Sequence, residues 1–269
     1  MQAIRDIRDR VQTLHPLIHC ITNPISIHQC ANAVLAVGAR PIMAEHPKEV
    51  REITATAQAL MLNLGNITDA RMAAMPVAAQ AAQERRIPIL LDAVGIACSK
   101  LRRDYAIDLI QTAMPTVIKG NYSEINALYH ETYRSSGVDA DAALDTAALD
   151  RTAAALARRC GTVILASGKV DIITDGTRLV HVSNGTPQLS GVTGTGCMLG
   201  ALGASYLAVQ PDMDAAVAAC AVLGICGQLA ETDRGCGSFM VNLMDALSTV
   251  KDADIAQYLN MEEWEIEQL

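Results

Sequence analysis

Apolar runs of five to seven residues alternate along this chain with longer stretches whose apolar positions recur every three or four residues. The short runs at 16–22, 58–64, 87–92, 115–119, 162–166, 170–174 and 179–183 predict strands. The longer stretches at 27–37, 68–84, 103–113, 122–130, 147–159, 196–208, 213–230, 239–249 and 254–268 predict helices. The opening Met1-Gln2-Ala3-Ile4-Arg5-Asp6 mixes charge with apolar residues and predicts an amphipathic helix. The last sixteen residues, with four Glu and Trp264, predict a peripheral amphipathic helix.

Strands separated by helices predict an α/β fold with a parallel sheet covered on both faces. Asp175-Gly176, between the runs at 170–174 and 179–183, predicts a hairpin, so the sheet becomes mixed at one edge. The polar stretch 134–146 predicts a surface loop inside one domain spanning 1–269. No linker or fixed-period repeat divides the sequence.

Composition narrows the function. At 269 residues and 51% hydrophobic, the chain can bury a sizeable core. Aromatics are only 3%, so Ala, Leu, Val, Ile and Met must fill it. A net charge of −8 argues against nucleic acid as a partner, and any phosphate site must be built locally against that field. The stretch 214–230 comes nearest to a membrane span, but Gln228 and the flanking Asp214 favour a buried helix. No membrane partner is expected. None of the eight cysteines forms a C-x-x-C pair, and no His cluster completes a zinc pattern. Reduced, mostly buried thiols and a cytoplasmic location are expected.

Candidate chemistry concentrates in Gly191-Val192-Thr193-Gly194-Thr195-Gly196-Cys197, a glycine-rich turn opening into an apolar helix. Glycines let successive amides converge, and a helix start adds partial positive charge, so an anion, most often phosphate, is the expected ligand. Cys197 at that helix entrance is a candidate proton acceptor, because a helix N-terminus favours thiolate. The loop amides of Gly194 and Gly196 would neutralise a transferring phosphoryl group.

Other polar residues end the predicted strands on the edge where α/β sheets bind ligands. Asp92 ends the run Ile89-Leu90-Leu91 and is either a helix cap or a carboxylate for Mg²⁺. In Lys119-Gly120-Asn121-Tyr122-Ser123-Glu124, Asn121 and Glu124 have the spacing of a capping box, and the same residues suit a metal–phosphate site. Gly235-Cys236-Gly237-Ser238-Phe239 is either a second backbone-defined loop or a helix start capped by Ser238.

Taken together, these pieces resemble a known family. Thr22-Asn23, Ala31 through Met43, Leu62-Asn63-Leu64-Gly65, Leu91 through Gly95, Gly120 through Ile125, Gly137-Val138-Asp139 and Val192 through Cys197 resemble, in order, the hydroxyethylthiazole kinases. Gly235 to Phe239 and Asp245-Ala246-Leu247 complete the series, which runs from about residue 16 to 250. The resemblance implies a ribokinase-like three-layer α/β sandwich without a separate lid. It implies ATP and Mg²⁺ as co-substrate and cofactor, and the primary alcohol of 4-methyl-5-(2-hydroxyethyl)thiazole as acceptor, in thiamine biosynthesis or salvage. It further implies a homotrimer with active sites between subunits.

Residue by residue, Met43, Gly194 and Asn23 match thiazole-binding positions, Asp92 and Glu124 match acidic positions near Mg²⁺, and Lys119 and Ser167 fall where ATP contacts are expected. Cys197 stands where related sugar and hydroxymethylpyrimidine kinases usually carry Asp. The family typically has Arg where Lys119 stands, Thr at Ser167, Pro at Ala93 and an acidic residue at Lys169, while Cys98 falls in a turn usually rich in Gly and Ala. Two alternatives share the glycine loop: a kinase of another hydroxyalkyl heterocycle such as hydroxymethylpyrimidine, and a ribokinase-like nicotinamide-nucleotide hydrate dehydratase.

Overall fold

A computed structural model of the chain describes residues 1–130 and 146–266. The loop expected at 134–146 lies outside these residues except for Thr146, as does Gly137-Val138-Asp139.

The strands are β1 (Leu17–Ile21), β2 (Arg40–Ile42), β3 (Ala59–Asn63), β4 (Ile89–Asp92), β5 (Val117–Asn121), β6 (Val163–Ser167), β7 (Asp171–Thr174), β8 (Arg178–Val182) and β9 (Met261–Glu265). They form one sheet in the order β2-β1-β3-β4-β5-β6-β7-β8-β9. The first six run parallel, and β7, β8 and β9 are antiparallel additions. The mixed edge expected from Asp175-Gly176 is therefore present. β3 and β4 are buried along their whole length, as central parallel strands covered on two faces must be.

The helices are α1 (Gln2–Leu14), α2 (Ile27–Ala36), α3 (Val50–Thr56), α4 (Asp69–Arg85), α5 (Lys100–Ala113), α6 (Tyr122–Tyr129), α7 (Thr146–Cys160), α8 (Thr195–Leu207), α9 (Met213–Leu229), α10 (Cys236–Thr249) and α11 (Asp252–Tyr258). Two hydrophobic cores follow. One lies between the sheet and α1, α2, α8, α9 and α10, and includes Met61, Leu90, Val117 and Leu165. The other lies against α3 to α7 and includes Leu60, Leu62, Leu91 and Ile118. Alternate strand residues point to opposite faces, so Asn63, Asp92, Lys119 and Ser167 fall on the α8 side.

Three expectations change. The C-terminal helix at 254–268 is instead short α11 followed by β9. Met261–Glu265 pairs antiparallel with β8, Arg178 holds Glu263 at 2.8 Å, and Trp264 packs edge-on to His181. The open hydrogen-bonding edge of β8 outweighs the helical spacing of the glutamates. β2 and α3 carry too few residues to show a period, and neither was among the predicted elements. Finally, Gly235 at φ 108° starts α10, so Cys236 to Phe239 form its first turns and Ser238 is not the cap.

Candidate active site

Sheet order reverses between β1 and β3: β2 lies on one side of β1, and every later strand lies on the other. Open α/β sheets offer a ligand crevice beyond the strand ends at such a point. Asn23 follows β1 and Asn63 ends β3, so both stand at the floor of this crevice, Asn63 fully buried.

α8 enters the same place. Gly194 is its N-cap, with φ 98°, a left-handed conformation that glycine adopts without strain. A Cβ there would stand 3.2 Å from Ser26 Cβ. The first intrahelical bond runs from Met198 N to Gly194 O at 2.8 Å. The amides of Thr195, Gly196 and Cys197 therefore occupy the first turn, where helix geometry provides no acceptor, and no side chain caps them. Thr195 Oγ1 donates to Leu189 O at 2.8 Å and anchors the turn. Gly200 lets α8 approach the sheet closely; a Cβ there would lie 2.6 Å from Met61 Cε and 3.5 Å from Asp92 Oδ2.

That approach brings Cys197 against the strand ends. Asn23 Nδ2 donates to Cys197 Sγ at 3.3 Å, and Asn63 Nδ2 donates to it at 3.4 Å. Asn63 Nδ2 also donates to Asp92 Oδ2 at 2.8 Å. Asp92 in turn holds Lys119 Nζ, at 3.1 Å from Oδ1 and 3.2 Å from Oδ2. The register explains the alignment, because Asn63 pairs with Asp92 and Asp92 with Lys119 across adjacent strands. A Cβ on Gly196 would lie 3.5 Å from Lys119 Nζ, so the ammonium faces the glycine turn.

These charges are buried: Asp92 is 0% exposed, Lys119 4% and Glu124 3%. Burial alone would lower Lys119, but Asp92, then Cys197 and Glu124, outweigh it and hold the ammonium above its ordinary value. Burial raises the Asp92 carboxyl, against the pull of Lys119 and Asn63. The geometry is that of an ammonium–carboxylate pair, with Asp92 as the counter-ion. Asp92 thus caps no helix.

Glu124 forms the capping box read from the sequence. Glu124 N donates to Asn121 Oδ1 at 2.8 Å, and Asn121 N donates to Glu124 Oε2 at 2.7 Å. Its other oxygen accepts from Gly95 N at 2.7 Å. Burial raises this carboxyl, Lys119 pulls it back, and Asp92 adds to the rise. Two carboxylates therefore face one lysine, which leaves a surplus of negative charge on hard oxygen donors. That donor chemistry fits Mg²⁺. Among the described residues no three His, Cys, Asp or Glu side chains group closely enough to hold a metal alone. This suits an ion carried largely by phosphate and water.

The remaining candidates lie on the same edge. Met43 follows β2 and packs, partly buried, against the α8-side core. His19 Nε2 donates to the neighbouring Ala44 O at 2.9 Å, so Nδ1 accepts from Thr54 Oγ1 at 2.8 Å. Burial lowers His19 and keeps it neutral for that arrangement. Ser167 pairs with Asn121 across β5 and β6 and donates to Gly120 O at 3.4 Å. Buried Arg71 ties the ends of β1 and β3 together through Thr22 O at 3.0 Å and Gly65 O at 3.2 Å. The cysteines are free; Cys20, Cys30, Cys220 and Cys226 are buried, while Cys98 and Cys236 are exposed.

An uncapped helix start beside carboxylates and a lysine, at the carboxyl edge of a parallel sheet, is an arrangement suited to a phosphoryl-transfer class of protein. Solved structures place the fold in the ribokinase-like group: a ribokinase-like superfamily protein from Enterococcus faecalis superposes with a TM-score of 0.66 at 14% identity, over 94% of both chains. Within that group the chain belongs to the hydroxyethylthiazole kinase family, whose pattern it matches over residues 9–253. It is 46% identical over 251 residues to hydroxyethylthiazole kinase 2 of Clostridium botulinum strain Hall, covering 91% of this chain and 95% of that one. It is 36% identical to hydroxyethylthiazole kinase 1 of Methanosphaera stadtmanae, over 95% of each chain. The structure of the hydroxyethylthiazole kinase from Pyrococcus horikoshii OT3 superposes with a TM-score of 0.90 at 33% identity, covering 98% of this chain and all of that one.

Proposed function

We propose that this chain transfers the γ-phosphoryl group of ATP to the primary alcohol of 4-methyl-5-(2-hydroxyethyl)thiazole, in thiamine biosynthesis or salvage. Family membership supports the substrate. The observation that carries the chemistry is the sulfur of Cys197, held by two amide donors beside the open first turn of α8.

In the transfer, the alcohol oxygen forms a bond to the γ-phosphorus as the bond to the departing ADP oxygen breaks. The alcohol proton passes to Cys197 Sγ. The amides of Gly194, Thr195, Gly196 and Cys197 surround the charge spread over the phosphoryl oxygens, and that electrostatic contribution outweighs proton transfer. Lys119, already facing Gly196, supplies a positive charge on the nucleotide side, where Ser167 ends the adjacent β6. Asn23, Met43 and Gly194 bound the thiazole side. Mg²⁺, when bound, screens the triphosphate, and Asp92 and Glu124 are the residues that would hold it.

We place the sites between subunits of a homotrimer. Ile25, two residues beyond Asn23, Leu35 on α2 and Val241 on α10 expose 60%, 54% and 61% of their surface, and α2 packs against α10. Free thiols support the cytoplasm as the compartment.

A coupled ADP-release assay with Mg²⁺·ATP tests the reading. The thiazole alcohol is expected to give the highest kcat/KM among the alcohols offered. Faster turnover of hydroxymethylpyrimidine, or no ADP release with any alcohol, would overturn it.

A further inference from the structure

Asn63 is fully buried at the end of β3, inside the Leu62-Asn63-Leu64-Gly65 motif, where it carries no charge and the sequence assigns it no role. Its hydrogen bonds are complete. Oδ1 accepts from Gly65 N at 2.9 Å and from Asn23 Nδ2 at 3.1 Å, while Nδ2 donates to Asp92 and to Cys197. A backbone N–H can only donate, so Gly65 fixes which end of the amide is oxygen. Asn23 is fixed in the same way, because its Oδ1 accepts from Ile25 N at 3.1 Å and Ser26 N at 3.2 Å. Both amides must therefore present N–H to the Cys197 sulfur. An apolar side chain would leave Asp92 and the sulfur without these donors, and a flipped amide would leave Gly65 N unpaired.

We infer that Asn63 is a positioning residue of the transfer step: its locked amide holds the Cys197 sulfur as a hydrogen-bond acceptor, oriented to receive the alcohol proton. Asn63 touches neither the phosphoryl group nor the alcohol; it acts through Cys197. The inference rests on the kinase reading only for its kinetic consequences. The hydrogen-bond relation between Asn63 and the sulfur stands apart from it.

Asn63→Asp tests this, because it keeps the size and the acceptor for Gly65 while removing the donor to the sulfur; the donor to Asp92 is lost with it, in either Cys197 background. With the thiazole alcohol and ATP, kcat is expected to fall about 100-fold, as for a misplaced reacting group, with both KM values within about threefold of wild type. In a Cys197→Ala background the same change is expected to cost at least about tenfold less than in the wild type, the remaining loss being the part that acts through Asp92, since coupled residues are not additive. Equal losses in both backgrounds, or a raised KM with unchanged kcat, would overturn the inference and identify Asn63 as a structural residue only.

A second readout needs no turnover. Iodoacetamide labelling of Cys197, followed by peptide mass mapping of the substrate-free protein, is expected to slow about tenfold in Asn63→Asp, because a carboxylate replaces a donor beside the sulfur. Unchanged labelling would overturn the inference even if the wild type proved inactive on thiazole, an outcome that would separately remove the kinase reading. Should Asn63→Asp not fold, Asn63→Ala in the same kinetic cycle decides by the same criterion of additivity.

Discussion

Cys197 is best understood through the donors around it. Two asparagine amides point at its sulfur, and Lys119 lies across Asp92 from it. A carboxylate in the same position would use those donors at least as well and accept a proton directly. Cys197→Asp is therefore expected to keep or raise kcat in the coupled assay. A loss beyond about 100-fold, about 2.7 kcal/mol of barrier, would contradict a proton-accepting role. At this scale the charged and glycine residues were legible in the sequence, because each ends an apolar run: Asp92 after Leu91, Lys119 after Ile118, Gly194 before a helix. Asn63 was not. A neutral amide carries no signal until register is known. Parity would have found it, since Asn63, Asp92 and Lys119 each stand two residues beyond an α8-facing apolar residue: Met61, Leu90 and Val117.

Among the elements, the parallel strands and long helices were legible because each carries enough residues to show its period. β2 and α3, at three and seven residues, do not. β9 shows the opposite failure, where a helical pattern yields to the unpaired edge of β8. The turn from β6 into β7 offers a test at this scale. Asp171 accepts from Gly168 N at 3.0 Å, and burial pushes its carboxyl up to about 6, against the pull of Gly168, Cys220 and Lys119. A carboxyl raised above its unfolded value favours the folded state at low pH, and that advantage is lost as pH rises through the raised value. Asp171→Asn keeps an acceptor for Gly168 and removes the titration. Urea unfolding between pH 4 and 8 is expected to show the wild type losing ground to the variant from about pH 4 to 6, then running parallel to it. A pH-independent difference would contradict the assignment.

Across the whole molecule, the candidate site residues gather at the carboxyl edge of the sheet, beside the point where strand order reverses. The α/β class followed from the alternation of strands and helices, and the mixed edge from the Asp175-Gly176 turn between two strand runs. The proposed assembly did not follow from either; exposed apolar residues such as Ile25, Leu35 and Val241 are far apart in the sequence and lie on or beside α2 and α10, which pack together. Light scattering of the purified protein is expected to give the mass of three chains. A monomer that retains full turnover would remove the shared-site proposal.

The central claim is that the first turn of α8 gathers the migrating phosphoryl group beside an alcohol held at Cys197. A crystal structure with a non-hydrolysable ATP analogue, Mg²⁺ and the thiazole alcohol measures this directly. The terminal phosphate is expected within hydrogen-bond reach of the Thr195, Gly196 and Cys197 amides, with the alcohol oxygen against Cys197 Sγ. A terminal phosphate bound away from that turn, with both ligands in place, would contradict the account.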